Sequence, residues 1–570
     1  MKYRLRKEIP SKVSESLKKY SNITKTLLHY RDISNEKDAD LFLNYDPSYI
    51  NDPLTMKGIR ESVERINLAI SNNEKICIFA DYDADGIPGA VVFSDFFKEI
   101  KYKNVEVYFP HRNIDGFSLN IKAIEELAER GVNLIVTIDC GITDVKEVDL
   151  ANEKNIDVII TDHHEIGEEV PNAYAIVNPK QPGCEYKEKM LCGSAVIFKL
   201  TQALIRSGKH NIDEHFDKTL LDMVGIATLS DMVPLIGENR LFAHYGLLML
   251  RQSTRPGLQK LLKKAGCKQE ALTGEDVVFS ITPKINAASR MGHPIDAYTL
   301  LSTKDEALAD QMVKKLDKMN NERKGSVAAM VRSANKKMAE FEEIPNVIIV
   351  GDVDWKPSLV GLVASSLVDK YKRPAFVWGR EDASHIKGSC RGVGDVSLHS
   401  IMTEAKDVFN GFGGHFNAGG FETDNSKVHD MEKGLNDAYA KCLKEKQEII
   451  EWVDHVLSPE EVNNNLYNDL NKLSPFGDSN PKPVFLFKKV IVHSAEDFGK
   501  EKNHVKIKVK RSNGWPLEAI TFFKTLKDYD AIIEPGTEID MIATVENSNF
   551  AGRSNLRLKI VDVLKSGEWK

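Results

Sequence analysis

Three apolar, β-branched runs, Ile76–Ala80, Leu134–Ile138 and Val158–Thr161, each end in a cluster of acids or imidazoles. Runs of this kind read as strands buried on both faces of a parallel sheet, which obliges the chain to supply helices above and below it. The residues that follow are Asp81-Tyr82-Asp83-Ala84-Asp85-Gly86, Asp139-Cys140-Gly141 and Asp162-His163-His164. A sixth acid, Asp231, comes just past a helical segment, Leu220 to Leu229. In open α/β sheets the ligand crevice lies outside the carboxyl ends of the strands, so these groups are expected to converge there.

Convergence of so many carboxylates implies a cation. Packed together without one, they would repel each other and resist ionisation. Oxygen ligands joined by one or two imidazoles suit Mn²⁺ or Mg²⁺, whereas structural Zn²⁺ sites draw on cysteine clusters. A single Asp after a strand is ordinarily a helix cap. Four at successive element ends are not accounted for by capping, and perturbed acids gathered in a crevice mark function.

The chain has 570 residues, too many for one core, and the length suggests three or four domains. No apolar run approaches a membrane span, and the start, Met1 to Ile9, lacks a signal-peptide core, so the cytoplasm is the expected location. Seven cysteines form no C-x-x-C pair, which argues against a disulfide framework. The net charge of −7 does not exclude a nucleic-acid partner, because acids in a metal site can mask basic surfaces elsewhere.

Four regions are expected. Residues 1–300 form a parallel-sheet α/β domain, from Lys75 to about Val177, with an N-terminal helical segment. In 301–343, apolar residues from Leu308 to Phe341 recur at three- and four-residue spacing, as in a long connecting helix or two stacked ones. A second αβ unit occupies 344–447 and carries the glycine-rich Gly411-Phe412-Gly413-Gly414-His415. In 448–570, short strands alternate apolar residues with Lys506, Lys508 and Lys510, and with Arg557 and Lys559. This pattern suggests a small β-barrel with a cationic face, and Phe498, Trp515, Phe522 and Phe550 suit stacking on a single strand.

Through the Asp81 to Gly86 and Asp162-His163-His164 motifs the chain resembles the DHH phosphoesterase superfamily, and within it the single-strand-specific exonuclease branch. The resemblance continues in Leu229 to Leu235, Gly237 to Arg240, Pro283 to Arg290, Trp355-Lys356-Pro357, Gly388 to Arg391 and Leu473 to Pro481. It covers nearly the whole chain in order. It implies a DHH parallel-sheet domain, a long connecting helix, a DHHA1 α/β domain and a C-terminal OB-fold barrel.

Residue by residue, the resemblance implies that Asp83, Asp85, Asp139, His163 and Asp231 ligate two divalent ions, Mn²⁺ or Mg²⁺, with Asp139 bridging. Asp81 and Asp162 would support that set, and His164 would sit beside the reacting phosphate. Arg112, Arg290, Ser389, Arg391, Gly413, Gly414 and His415 would hold the substrate. The chain departs from the branch at Pro88-Gly89-Ala90, where Thr-Ser is usual, and at Ser118, where a second glycine is usual. Lys356 stands where His is usual, and Cys390 and Gly392 flank Arg391 in place of Gly and Ser.

The activity implied is 5′ to 3′ degradation of single-stranded DNA to mononucleotides in repair and recombination. A monomer working with single-strand-binding protein and a RecQ-type helicase, and with no membrane partner, fits that role. A phosphodiesterase of short oligonucleotides or cyclic dinucleotides is an alternative, but such enzymes usually lack the barrel. A non-catalytic DHH-derived replication scaffold is another, but such scaffolds lose metal ligands that are all present here.

Overall fold

The buried runs do form one parallel sheet. Its strand order is Val105–Tyr108, Ile76–Ala80, Leu134–Ile138, Asp157–Thr161, Ala175–Val177, with every neighbouring pair parallel. The chain starts at Ile76–Ala80, steps to one side, then returns to build outward from the other side. The order therefore reverses between Ile76–Ala80 and Leu134–Ile138, and a crevice opens at that switch point. Residues 76–80 are wholly buried, as are 134–138, because helices cover both faces. The structure, a computed structural model, describes residues 3–112, 114–380, 385–394, 396–414, 416–443, 450–550 and 553–569.

Residues 50–233 and 242–447 form one compact unit. Within it, a single helix, Glu306–Met338, serves two cores. Its first half buries Met312, Val313 and Leu316 and binds helices of the parallel-sheet lobe through ion pairs such as Lys315–Asp296 at 2.8 Å. Its second half buries Met330, Ala334 and Met338 against Ile348, Val350, Trp355 and Leu359. At 33 residues it is roughly 50 Å long. The second lobe is a five-stranded sheet ordered Gly411–Gly414, Ala418–Asp424, His385–Arg391, Ala375–Arg380, Ile348–Asp352, and only its last pair is parallel.

The other unit comprises residues 1–49, 234–241 and 448–570. Five long strands, Phe485–Phe498, His504–Val509, Leu517–Phe522, Glu538–Phe550 and Arg553–Lys565, close into a barrel because the first pairs with both the second and the fourth. Val505, Ile507, Val509 and Leu558 point into its core, as the alternation predicts.

The first residues of the chain pack with the barrel. Tyr3–Leu5 pairs in parallel with Glu451–Val453, and Leu17, Leu27, Leu28 and Ala39 share the hydrophobic core of the barrel. Two segments of the resemblance are structural here. Arg240, over the ring of Phe42 at 3.8 Å, donates to the carbonyls of Phe42 and Leu473, joining Gly237–Arg240 to Leu473–Pro481. No helix among the described residues is long and apolar enough to cross a membrane.

Candidate active site

The sheet ladder runs on into the acids. Asp81 N–H donates to Ile138 O at 3.1 Å, Asp139 N–H to Thr161 O at 3.0 Å and Asp162 N–H to Val177 O at 3.1 Å. Each acidic residue is thus held by the neighbouring strand before its side chain makes any contact. Asp139 adopts φ +64, a left-handed backbone unusual for a non-glycine residue, of the kind that persists where surrounding structure over-determines it.

Asp83 Oδ1 accepts from the backbone N–H of Asp85 at 2.7 Å and Gly86 at 3.2 Å, which starts the helix Gly86–Glu99. Asp85 accepts through both oxygens from Gly193 N–H and Ser194 N–H, at 2.6 and 2.7 Å, at the N-terminus of the helix Gly193–Arg206. A Cβ on Gly193 would lie 2.5 Å from Cβ of Asp139, so only glycine lets that helix approach. Sequence reasoning missed this support. Its only signal is the small pair Gly193-Ser194 ahead of an apolar helix.

The imidazoles complete the cluster. His163 Nε2 lies 3.1 Å from Asp139 Oδ1, 3.8 Å from Asp231 Oδ2 and 3.9 Å from Asp85 Oδ2. Three sets of ligand atoms lie within 4.8 Å of one another: Asp139, His163 and His164; Asp85, His163 and Asp231; Asp81, Asp83 and Asp139. Asp139 and His163 each belong to two of them. Asp162 faces the other way, accepting from His163 N–H, from His164 N–H and Nδ1, and from Ile142 N–H.

These residues fit divalent cations. Asp81 Oδ1 and Asp139 Oδ1 are buried with no hydrogen-bond partner. Burial, reinforced by the neighbouring acids, pushes Asp81, Asp139 and Asp231 well above the usual carboxylate range and Asp85 up to about 6. Burial also pushes His163 down to about 3, which favours the neutral imidazole that binds metal. Burial opposes charge on His164 too, but the Asp162 hydrogen bond and nearby carboxylates outweigh it and raise that group to about 9. Cations would replace this mutual repulsion with attraction. Cys140 and Cys192 are buried thiols pushed far from ionisation by burial, so the donors are oxygen and nitrogen.

A cavity of about 490 Å³ separates the two lobes and is lined by Tyr82, Arg112, Phe117, Ser358, Lys387 and Gly413, among others. Arg112 stacks on Tyr82 at 4.8 Å, and Phe117 meets the His164 ring edge-on at 5.6 Å, so the cavity borders the acid–imidazole cluster. Beside it lies a group of guanidiniums. Burial, together with the charges of Arg112, Arg323 and Arg391, lowers Arg290 to about 9. Arg323, on the long helix, was not singled out from the sequence, where nothing separates it from other helix-surface cations.

On the strand His385–Arg391, Ser389 and Arg391 face the helix Pro357–Tyr371, where Gly361 leaves room for them; a Cβ there would lie 3.2 Å from Arg391 Nη2. Cys390 points the opposite way into the core, 3.9 Å from Met402 Sδ, so this departure from the family pattern does not reach the cleft. Gly414 adopts φ +150, and a Cβ on it would lie 2.4 Å from Gly419 Cα. His415 lies outside the described residues, as does the side chain of Phe550.

The barrel cations are less free than their alternation suggests. Lys506 pairs with Glu496 at 2.5 Å and Arg557 with Glu546 at 2.6 Å, and Lys508 stands opposite Glu518. Lys510 and Lys559 are exposed. Exposed aromatics do cluster nearby: Phe522 and Phe523 lie 5.2 and 5.3 Å from His504, with Phe523 83% exposed.

Comparison with known proteins agrees with this architecture. Residues 75–228 match the DHH family, N-terminal domain, residues 345–445 the DHHA1 domain, and residues 453–562 the RecJ OB domain. The single-stranded-DNA-specific exonuclease RecJ of Bacillus subtilis is 36% identical over 547 residues, covering 96% of this chain and 68% of its own. The fold matches the crystal structure of RecJ in complex with Mn²⁺ from Thermus thermophilus with a TM-score of 0.82 and 24% identity, over 100% of this chain and 80% of that one. A crystal structure of exonuclease RecJ bound to manganese matches at 30% identity with a TM-score of 0.59, covering 68% of this chain and 96% of that one. With its sheet, its second lobe and its barrel all in family order, the chain belongs to the RecJ family of DHH-superfamily single-stranded-DNA-specific exonucleases.

Proposed function

We propose that this chain is a metal-dependent exonuclease that shortens single-stranded DNA from its 5′ end, releasing mononucleotides in repair and recombination. The observation that carries the reading is the cluster of Asp81, Asp83, Asp85, Asp139, His163 and Asp231 at the switch point, beside a cleft backed by the guanidiniums of Arg112, Arg290 and Arg391. Asp83, Asp85, Asp139, His163 and Asp231 would hold two ions, Mn²⁺ or Mg²⁺, with Asp139 shared and Asp81 completing the set. When bound, such ions activate water and stabilise the attacking and leaving oxygens of an in-line displacement.

The remaining work falls to the protein's own groups. Arg112, Ser389 and Arg391 receive the terminal phosphate, with Arg290 behind them, and forked charge-assisted contacts fix its position. Tyr82 and Phe117 flank the first base. Asp162 orients His164 so that its Nε2 is left for an oxygen of the scissile phosphate, and Gly413, Gly414 and His415 close on the strand from the second lobe. Water adds to phosphorus, the P–O3′ bond breaks, and the departing 3′ oxygen takes a proton. The shortened strand then carries a new 5′-phosphate, the group the next cycle requires.

Domain limits of 1–300, 301–343, 344–447 and 448–570 are proposed for the functional modules, with residues 1–49 bracing the barrel. Lys506, Lys508, Lys510, Arg557 and Lys559 are proposed to track the strand on the barrel. A monomer in the cytoplasm, served by single-strand-binding protein and a RecQ-type helicase, accords with a single-strand substrate. The test is incubation of 5′- and 3′-labelled strands with Mn²⁺: release of the 5′ label first supports the reading. Initial loss of the 3′ label overturns the polarity, and action on dinucleotides alone favours the small-substrate alternative.

A further inference from the structure

A second cavity, of about 280 Å³, lies behind the wall of the main cleft. The two cavities share Pro357 and Ser358. That wall is pinned by a reciprocal pair, Arg290 Nη1 donating to Ser358 O at 2.6 Å and Ser358 Oγ donating to Arg290 O at 3.1 Å. The lining of the second cavity is strongly basic: His111, Arg290, Lys356 and Arg380, against the single carboxylate of Asp354.

Among the described residues, Arg290, Lys356 and Arg380 make no ion pair. Arg290 is nearly buried among other guanidiniums. Arg380 donates Nη2 to Asn425 at 2.6 Å, but its Nε is buried with no partner. Lys356, at a position where the family resemblance leads one to expect a histidine, is exposed and adds an ammonium group to the lining. Asp354 is exposed and accounts for only one negative charge. A polar void lined by guanidinium and ammonium groups is a phosphate site in its chemistry, because a buried donor left without an acceptor costs more than the bond it would make.

We infer that this cavity is a second phosphate subsite, which receives the distal phosphates of a strand whose 5′ end carries a di- or triphosphate. The inference rests on the proposed placement of the terminal phosphate at Arg112, Ser389 and Arg391. A group attached to that phosphate has the Ser358 wall beside it and the basic cavity beyond. The enzyme therefore accepts polyphosphorylated 5′ ends instead of being blocked by them.

The test uses one DNA sequence with a 5′-hydroxyl, a 5′-monophosphate or a 5′-triphosphate, digested by the full-length wild type and by Lys356→Glu and Arg380→Ala. In the wild type the triphosphate strand is cut with a KM close to that of the monophosphate strand. Each substitution raises KM for the triphosphate strand by about tenfold or more, as expected for loss of a charge-assisted contact, and leaves the monophosphate strand nearly unaffected. A wild type that cuts the monophosphate strand but not the triphosphate strand overturns the subsite. So do variants that weaken both ends equally. Failure to cut the monophosphate strand would instead overturn the exonuclease reading. Calorimetric titration of inorganic pyrophosphate into chelator-treated protein decides the subsite without cleavage: the wild type binds it and Arg380→Ala binds it about tenfold more weakly, whereas equal binding by the two refutes the assignment.

Discussion

Asp162 and His164 form the tightest side-chain pair of the candidate site, Nδ1 of the imidazole lying 2.7 Å from Oδ1 of the carboxylate. The same oxygen accepts the backbone N–H groups of His163 and His164, so one carboxylate positions both imidazoles. Asp162→Asn keeps an acceptor for the backbone but no longer holds Nδ1 protonated by a charge. We expect kcat to fall by roughly 10–100-fold, the range for outer partners of metal-binding histidines, with KM little changed. Steady-state kinetics on a short 5′-phosphorylated strand checks this, and a change confined to KM would contradict it.

Asp139→Asn should abolish cleavage without unfolding the protein. Its second readout is stability: burial and the charges of Asp85, Asp83 and Asp81 oppose ionisation of Asp139, so removing that charge raises Tm in chelator. Added Mn²⁺ then raises Tm of the wild type much more than that of the variant, because a ligand stabilises only in proportion to its affinity. Equal Mn²⁺ shifts in the two proteins would argue against Asp139 as a shared ligand.

Arg391 lies with Ser389 on the side of its strand that faces Gly361, and among the described residues it donates one hydrogen bond, to Cys390 O at 2.7 Å. Arg391→Ala is expected to erase the preference for a 5′-phosphate over a 5′-hydroxyl while sparing Mn²⁺ binding. The ratio of kcat/KM on the two ends measures this. A wild type that treats both ends alike would show the phosphate site to lie elsewhere.

On the barrel, ion pairs separate the cations into two groups. Lys559 is exposed, whereas Lys506 and Arg557 are already bridged to Glu496 and Glu546. Lys559→Ala should reduce the slope of log affinity against log salt by about 0.7, the value for one single-strand phosphate contact. Arg557→Ala should change it less. Affinities for a long single strand across a salt series decide, and an unchanged slope in Lys559→Ala would remove that residue from the DNA path.

Asp144 anchors the loop that carries Arg112 and Phe117, accepting from Ser118 Oγ and from Leu119 N–H at 2.9 Å. Burial raises it to about 6, although those two hydrogen bonds pull the other way. Because the folded value lies above the unfolded one, the folded state holds the extra proton between about pH 4 and 6. Stability from this group is therefore full below about pH 4 and falls as pH rises through about 6, by at most about 3 kcal/mol. Asp144→Asn should flatten that part of the stability curve in denaturant titrations at pH 4, 5, 6 and 7. A wild-type curve that climbs through this window with a slope the variant shares would refute the assignment.

Much of the site was legible because its residues are local to strands. An acid directly after a doubly buried run can only emerge at the carboxyl edge of a parallel sheet, so Asp81, Asp139 and Asp162 were placed by pattern alone. Alternation likewise sent Val505, Ile507 and Val509 inward and their lysines outward. Pattern could not say what those lysines would meet. Glu496 and Glu546 reach Lys506 and Arg557 from neighbouring strands, a pairing set by register and not by spacing along one strand.

Periodicity within segments of about ten to thirty residues was enough to read the sheet, the acids at its edge, the long helix and the barrel strands. Long-range packing is what joins residues 1–49 to the barrel, sets Gly193 and Ser194 against Asp85, turns Cys390 into the core, and brings Arg323 and Arg380 into the cationic surroundings of the cleft. Those outcomes depend on contacts between residues distant in the chain. Charge and size then act through positions that no local period encodes.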